Sequence, residues 1–475
     1  MTPCDIVIVG HGAAGLCAAV SAAETALERG LKVHITVIER APEAEHGGNS
    51  RWTPSYIRMP SVAGVAPGFA EDIVLESDGR ADTAYFQRLA EDAGPSAAWL
   101  QQQGVTFHTP VYYLAAGPAR IQPVGGGAAI IGALLASAQR LGVVFHYGHA
   151  ADALKLDEAG AVSGVELDDG RVIPAHRVIL ASGGFAGNAD MLAEHFGPAA
   201  RSMKPISPGT RANTGAGIRM ALAVGAQPAG DWHGMHAEPI DARSSGPAPV
   251  VLVYPYGIVV DQNGDRFFDE GAGLVHETWE TFARHIHMAL PGHQAYAILD
   301  SRLLDISHYE RAIRSEVAPI RADSMAELAA LLNIPTERLQ ATVSDYNAAA
   351  TADTTHFDAT HTDGITTAPG YTPPKSNWAR PITQPPYLAW PLIGAVAYTF
   401  GGIATTPNAQ VLGANGPIPG LYAAGEITGH FYGTAPNAVA MLRAIVFGRV
   451  AGSQAVLDRS CLFWQSLPSN AKILP

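Results

Sequence analysis

The chain has 475 residues, 47% hydrophobic and only 15% charged, with 50 glycines and 34 prolines, which fits a loop-rich globular protein of two or three domains and excludes a disordered or fibrous one. A formal net charge of −13 argues against nucleic acid as the main partner, so an anionic small molecule must be drawn by a local basic pocket. Cys4, Cys17 and Cys461 are scattered and form no C-x-x-C pair, so no disulfide framework, iron–sulfur cluster or metal site is expected.

Residues 5–40 read as strand, turn, helix, strand. Ile6-Val7-Ile8-Val9 is the unbroken apolar run of a parallel strand buried on both faces. Gly10-His11-Gly12-Ala13-Ala14-Gly15 then fits G-x-G-x-x-G. Gly10 permits the tight turn, Gly12 lets backbone approach a pyrophosphate, and Gly15 lets helix pack close to strand. Residues 16–29 are helix-forming and end at Gly30; the helix N-terminus offers free N–H groups and a positive dipole end to phosphate. Residues 33–38 are a second β-branched run ending in Glu39, whose carboxylate can accept ribose hydroxyls, with Arg40 beside it. The start lacks a basic n-region and a cleavage site, so it reads as a core strand, and a cytoplasmic location is expected.

A second glycine pair, Gly47-Gly48 with Asn49 and Ser50, suggests further close backbone approach to the same ligand. Arg58 is a candidate carboxylate binder with an ordinary surface alternative. Residues 81–103 read as a helix capped by Gly104, and 128–141 as a second helix leading to a strand at 143–147. The uncharged stretch 121–138 is broken by Gln122, Pro123 and three glycines, so no membrane span is expected. Asp168-Asp169-Gly170 marks a hairpin between 161–167 and 171–173. Residues 178–184 repeat the strand-into-turn pattern through Ala181, Ser182 and Gly183, and Asn213 to Gly217 opens another helix. The texture changes near Asp231. Residues 232–352 read as an inserted second domain, with strands around 250–260, a hairpin over 257–270, and helices at 325–332 and 336–349. A polar linker, 351–367, leads back to the first domain, with strands at 395–402, 409–412 and 420–426 and a last helix over 438–457. The expected division is therefore 1–231, 232–352 and 353–475.

Taken together, Gly10 to Gly15 with Glu39, Gly47 to Arg51, Ala181 to Phe185, Asn213 to Gly217 and Ala423 to Gly429 resemble the fumarate reductase and succinate dehydrogenase flavoprotein superfamily, in family order and over nearly the whole chain. The resemblance implies an α/β fold, a Rossmann-like FAD-binding domain (GR2 type) with an inserted α+β capping domain, and noncovalent FAD. Beyond the residues already named, it implies FAD contacts from Gly425, Glu426, Asn437, Ala438 and Val439, the last helix facing the flavin pyrimidine edge. Within the superfamily, Gly47 to Thr53, Asp269-Glu270-Gly271-Ala272 and Pro373 to Ile382 resemble FAD-dependent tricarballylate dehydrogenases, and the flavoprotein half of aerobic precorrin-3B synthase is similar.

The chain departs from the fumarate reductases in three places. Tyr398 stands where they have a histidine, Gly433 to Asn437 lacks their arginine, and no Glu-x-x-Arg follows Glu270. Ala41 stands where members with covalent flavin carry the attaching histidine. The implied chemistry is oxidation or reduction of a carbon–carbon bond beside an electron-withdrawing group, one carbon exchanging hydride with flavin N5 and a side chain handling the neighbouring proton. Candidate catalytic residues are Tyr398, Arg302 and Arg380, and candidate substrate-binding residues are Arg58, Glu270, His430 and Tyr432. Each arginine has a plain ion pair as its alternative, Glu270 a structural turn, and His430 a core position. The expected substrate is a small polycarboxylate. A 3-ketosteroid Δ1-dehydrogenase-like activity is the alternative, as is the flavoprotein subunit of an electron-transfer complex with a separate acceptor protein or quinone.

Overall fold

The structure, a computed structural model of the chain, describes residues 4–111, 114, 116–350, 353–458 and 465–466. Cys461 and the first two residues of the expected linker lie outside them. The first segment supplies β1 (Cys4–Val9), α1 (Ala13–Glu28), β2 (Ile35–Glu39), α2 (Thr83–Gln102), α3 (Gly126–Arg140), β3 (Val144–Tyr147) and β4 (Val172–Leu180). β1 pairs in parallel with β2 on one side and β4 on the other, and β3 extends the sheet beyond β2. Ile6, Val7 and Ile8 are fully buried, which is why their run does not alternate. β4 merges two expected strands. Its first half pairs antiparallel with Val162–Leu167 across the Asp168-Asp169-Gly170 turn, and its second half joins the parallel sheet. The α2 N-terminus is capped by the Asp82 carboxylate, which accepts the N–H groups of Ala84 and Tyr85.

The capping sheet contains β5 (Met235–Asp241), β6 (Ile258–Val260), β7 (Ala295–Leu299) and β8 (Tyr387–Thr399), with α4 (Val275–Ala289) packed on β5 and β8. β8 is its spine: 13 residues long, antiparallel to β5, β7 and Ile320–Ala322, and parallel to Lys204–Pro205. The expected domain limits therefore need correction. The capping sheet takes strands from both expected halves of the first domain, at 204–205 and 387–399, and the expected strand at 395–402 is mostly the end of β8. An unbroken apolar strand looks the same in either sheet, which is why sequence placed it wrongly. The strands expected around 250–260 reduce to β6, preceded by the 3-10 turn Tyr254–Tyr256, because Pro249 and Pro255 lack ladder donors. α4 lies close on the sheet. A Cβ on Gly394 would stand 2.1 Å from the Ala283 carbonyl oxygen, so only glycine admits the helix at that depth.

The chain returns to the parallel sheet through β9 (Gly416–Ala423), beside β4, and ends its described core with α5 (Ala440–Leu457). α5 packs on α1 along a seam of small residues. Cβ atoms on Gly448 and Gly452 would stand 2.5 Å and 2.2 Å from the carbonyl oxygens of Ala14 and Ala18.

Candidate active site

One continuous cavity runs from Glu39, Arg40 and Ala151 past Gly10 to Ala14, along Gly48 to Ser50 and Gly425 to Asn437 and Ala438, and ends beneath the capping sheet. The turn after β1 is fixed by backbone. Gly10 has φ +108°, and a Cβ there would stand 2.5 Å from the Ala181 oxygen. The Glu39 carboxylate closes the turn by accepting the N–H groups of His11 (2.9 Å) and Ala41 (2.7 Å). Arg40 bonds the Thr214 hydroxyl. Ser50 Oγ accepts the Ala13 N–H at 3.2 Å, tying the second glycine loop to the α1 N-terminus. Asn49 accepts from the hydroxyls of Ser207 (2.8 Å) and Thr210 (3.1 Å) and donates to the Ala397 carbonyl (2.8 Å), the extra residue of a bulge in β8. Asn213 Nδ2 donates to Glu426 Oε2 at 2.7 Å, and Glu426 Oε1 accepts the Thr399 N–H at 3.1 Å. Burial pushes the Glu426 carboxyl up to about 7, against the opposing pull of its hydrogen bonds and Arg443.

These residues fit FAD. Gly12 and Gly48 face open space, with nothing nearer than 3.6 Å and 3.9 Å to an added Cβ, so side chains there would fill the groove. His11 Nδ1 and Asn437 Nδ2 are buried on the cavity wall without a partner among the described residues. His11 is neutral, since burial and then the nearby His46 bring its pKa down to about 3. Ala181, Ser182, Gly183, Asn213 and Gly217 also line the cavity. Three expected FAD contacts do not. Gly15 packs under the Gly10 carbonyl, Gly47 makes room for Arg51 and Ile131, and Val439 is buried as the N-cap residue of α5.

The cap end is a cluster of charges and rings: Trp52, Tyr56, Arg120, His236, Glu238, His276, Trp279, Arg314 and Tyr398. Arg120 is buried and donates to Asn437 Oδ1 at 3.1 Å. The guanidinium carbons of Arg120 and Arg314 lie 5.9 Å and 6.0 Å from the Tyr56 ring centroid. His236, paired with Tyr398 in the β5–β8 ladder, stacks on its ring at 4.8 Å. Its Nδ1 bonds Glu280 Oε1, and its Nε2 bonds Glu238 Oε1 at 3.0 Å. Burial works against an imidazolium here, but the two carboxylates overcome it and push the His236 pKa up to about 10. Burial would raise Glu238, yet the bond and charge of His236, with Arg314, hold it below the usual carboxylate range. Burial, with Glu280 adding, lifts the Tyr398 phenol well above its ordinary value, so it is a neutral donor.

Of the seven residues expected to bind or transform substrate, Tyr398 alone lines this cavity. Arg58 is held by Asp72 (3.1 Å) and Glu76 (3.0 Å). Glu270 is fully buried, gripped by Arg266, and accepts the Val259 N–H at 2.7 Å, so it braces the cap. Arg302 forks onto Asp300, and Arg380 lies 3.7 Å over the Phe357 ring. His430 stacks on Tyr85 and bonds the Thr405 hydroxyl at 2.9 Å. The Tyr432 hydroxyl accepts the Gly230 N–H at 3.3 Å. Sequence reasoning missed Arg120, Arg314, Tyr56 and the His236 triad. His236 and Glu238 carried a usable signal, since i,i+2 spacing on a strand puts both on one face. Arg443 was also missed. It is buried on the cavity wall and donates to the Thr428 carbonyl at 3.2 Å.

The chain matches the FAD binding domain family over residues 5–440. It is 26% identical to the vinyl phenol reductase of Lactiplantibacillus plantarum, covering 95% of this chain and 96% of that one. It is 27% identical to a probable fumarate reductase of Shewanella frigidimarina, covering 95% and 74%. The open conformation of a flavocytochrome c3 fumarate reductase superposes with a TM-score of 0.76 at 24% identity, over 96% of this chain and 79% of that one, and so shares the fold. The chain belongs to the FAD binding domain family, within the fumarate reductase and succinate dehydrogenase flavoprotein superfamily, and is an FAD-dependent oxidoreductase acting on CH–CH bonds.

Proposed function

We propose that this enzyme oxidises or reduces a carbon–carbon bond beside a carboxylate in a small organic acid held at the cap end of the cavity. The observation that carries this reading is the convergence of Arg120 and Arg314 on the Tyr56 ring, at the far end of a groove that begins at Glu39. Bound FAD would supply hydride exchange at N5. The chain's own residues do the rest. Arg120 and Arg314 grip the carboxylate, and the neutral Tyr398 phenol donates to negative charge building on the substrate. Trp52 and Trp279 keep water from the reacting carbons. Oxidation of tricarballylate to cis-aconitate is one reaction of this type. The aromatic walls favour a second class, acids whose reacting bond is conjugated to a ring; the vinyl phenol reductase relative is in keeping with the ring but not with the carboxylate. A separate protein or quinone would exchange electrons with the flavin.

The test is anaerobic flavin bleaching by tricarboxylates, dicarboxylates, cyclic and aryl acids and 3-ketosteroids, with reoxidation of the reduced enzyme by the matching alkenes. At least one acid should react, and Arg314→Met should weaken its apparent affinity roughly tenfold or more. Reaction with steroids alone would refute the proposal.

A further inference from the structure

We propose that Glu238 exchanges the proton on the substrate carbon beside the carboxylate, while His236 and Glu280 position it and carry the proton away from the cavity. This rests on the hydride-transfer reading above and names the group that completes it.

Placement comes first. β5 puts His236 and Glu238 on one face, and the bulge opposite them in β8 falls between the partners of His236 and Ala237. α4 brings Glu280 to the other side of the imidazole. Glu238 and His236 line the cavity and Glu280 does not, so the order from the substrate outward is carboxylate, imidazole, carboxylate. The outer carboxylate reaches the loop before α5, where the Ala435 N–H lies 3.5 Å from Glu280 Oε2.

Elimination at the cap end leaves two groups able to take a proton, Glu238 and His276, of which Glu238 alone is ionised. Arginine is always protonated and takes no proton. The Tyr398 phenol is held neutral and can only donate. Glu426 has both oxygens committed, to Asn213 and to the Thr399 N–H. Glu238 stays ionised beside His236 and Arg314, with Oε1 bonded to His236 and Oε2 left for the cavity.

The step balances. In the oxidative direction the C–H bond beside the carboxylate breaks, its proton goes to Glu238, and its electron pair forms the new double bond. Bound FAD would be the oxidant, accepting hydride from the neighbouring carbon. The imidazolium then yields its Nδ1 proton to Glu280, leaving two neutral acids and a neutral imidazole where two carboxylates and an imidazolium had been, one proton richer in total. Alkene reduction runs the same path backwards.

The test uses holoenzyme and an acid that bleaches the wild-type flavin, in rapid mixing. Glu238→Gln should slow bleaching about 100-fold or more, with apparent substrate affinity within about threefold. Glu238→Ala should regain rate with added formate or acetate in proportion to its concentration. His236→Gln and Glu280→Gln should slow bleaching without such rescue. If the Gln and Ala variants fail to retain FAD, Glu238→Asp decides, with a rate loss of about tenfold or more at unchanged affinity expected. Unaltered bleaching in Glu238→Gln, a loss of affinity with the rate kept, an unaltered rate in Glu238→Asp, or no rescue of a substrate-binding Glu238→Ala would each overturn the proposal. A wild type that reacts with no acid in either direction overturns the hydride-transfer reading first, and this proposal falls with it.

Discussion

Glu426 offers a direct test of how this cavity handles charge. Its carboxyl is raised from 4.5 to about 7 by burial, so the folded protein holds a proton that the unfolded chain has already lost. A raised folded pKa contributes stability that is fully present below about pH 4.5 and disappears as pH climbs through 7. At about 1.4 kcal/mol for each pKa unit, the loss is roughly 3 kcal/mol. A chain of this length unfolds with an entropy near 1 kcal/mol per kelvin, so the effect on Tm is about 3 °C. Glu426→Gln cannot ionise and should lack this slope. The assay is calorimetry on FAD-stripped protein from pH 4.5 to 8, reading the variant against wild type. His236, whose folded pKa of about 10 sheds stability only above pH 6.5, and the buried, depressed His11 and His430 act equally in both proteins and cancel in the difference. Parallel slopes in the two proteins would refute the assignment of a buried, near-neutral carboxyl at this position.

Arg302→Met should leave KM and kcat within about twofold, since Arg302 is forked onto Asp300 outside the cavity; a tenfold rise in KM would contradict its placement. Lys375→Met should destabilise by about 3 kcal/mol in urea unfolding, because it strands the carbonyls of Pro255 (2.6 Å) and Gly257 (2.8 Å) in a dry core and removes a charge beside Glu270; a loss below about 1 kcal/mol would show those groups find other partners. Gly452→Val should cost at least about 2 kcal/mol and reduce FAD content together, since its side chain collides with the Ala18 backbone, and normal FAD content at normal Tm would count against a rigid seam.

The nucleotide half was legible because local sequence dictates it. An apolar run, glycines at fixed offsets and an acid at the end of the next strand are all constraints within forty residues of one another, and β1, α1 and β2 realise them as expected. The substrate half was not, because its residues meet only through the capping sheet. Arg120 comes from a loop before α3, His236 from β5, Glu280 from α4 and Arg314 from a loop after β7. Nothing in the spacing of those four announces that three of them share a cavity wall with the fourth behind it. Two of the arginines chosen from sequence failed for a local reason: Arg302 has its carboxylate two residues away, and Arg58 meets Asp72 and Glu76, one turn apart on the helix Phe69–Glu76. Tyr398 was recoverable because it stands where β8 ends at a glycine pair, a position the motif order could locate.

The glycine seam between α1 and α5 has a bearing on ligand length. With backbone against backbone and no side chain able to yield, the two helices are one rigid body, so the interval between their N-termini is set like the jaws of a fixed gauge. One jaw meets the phosphate turn and the other meets Asn437 and Ala438 at the ring end. FAD would extend past the first jaw to the Glu39 end of the groove, whereas a mononucleotide flavin would span the same two jaws and leave that end unfilled.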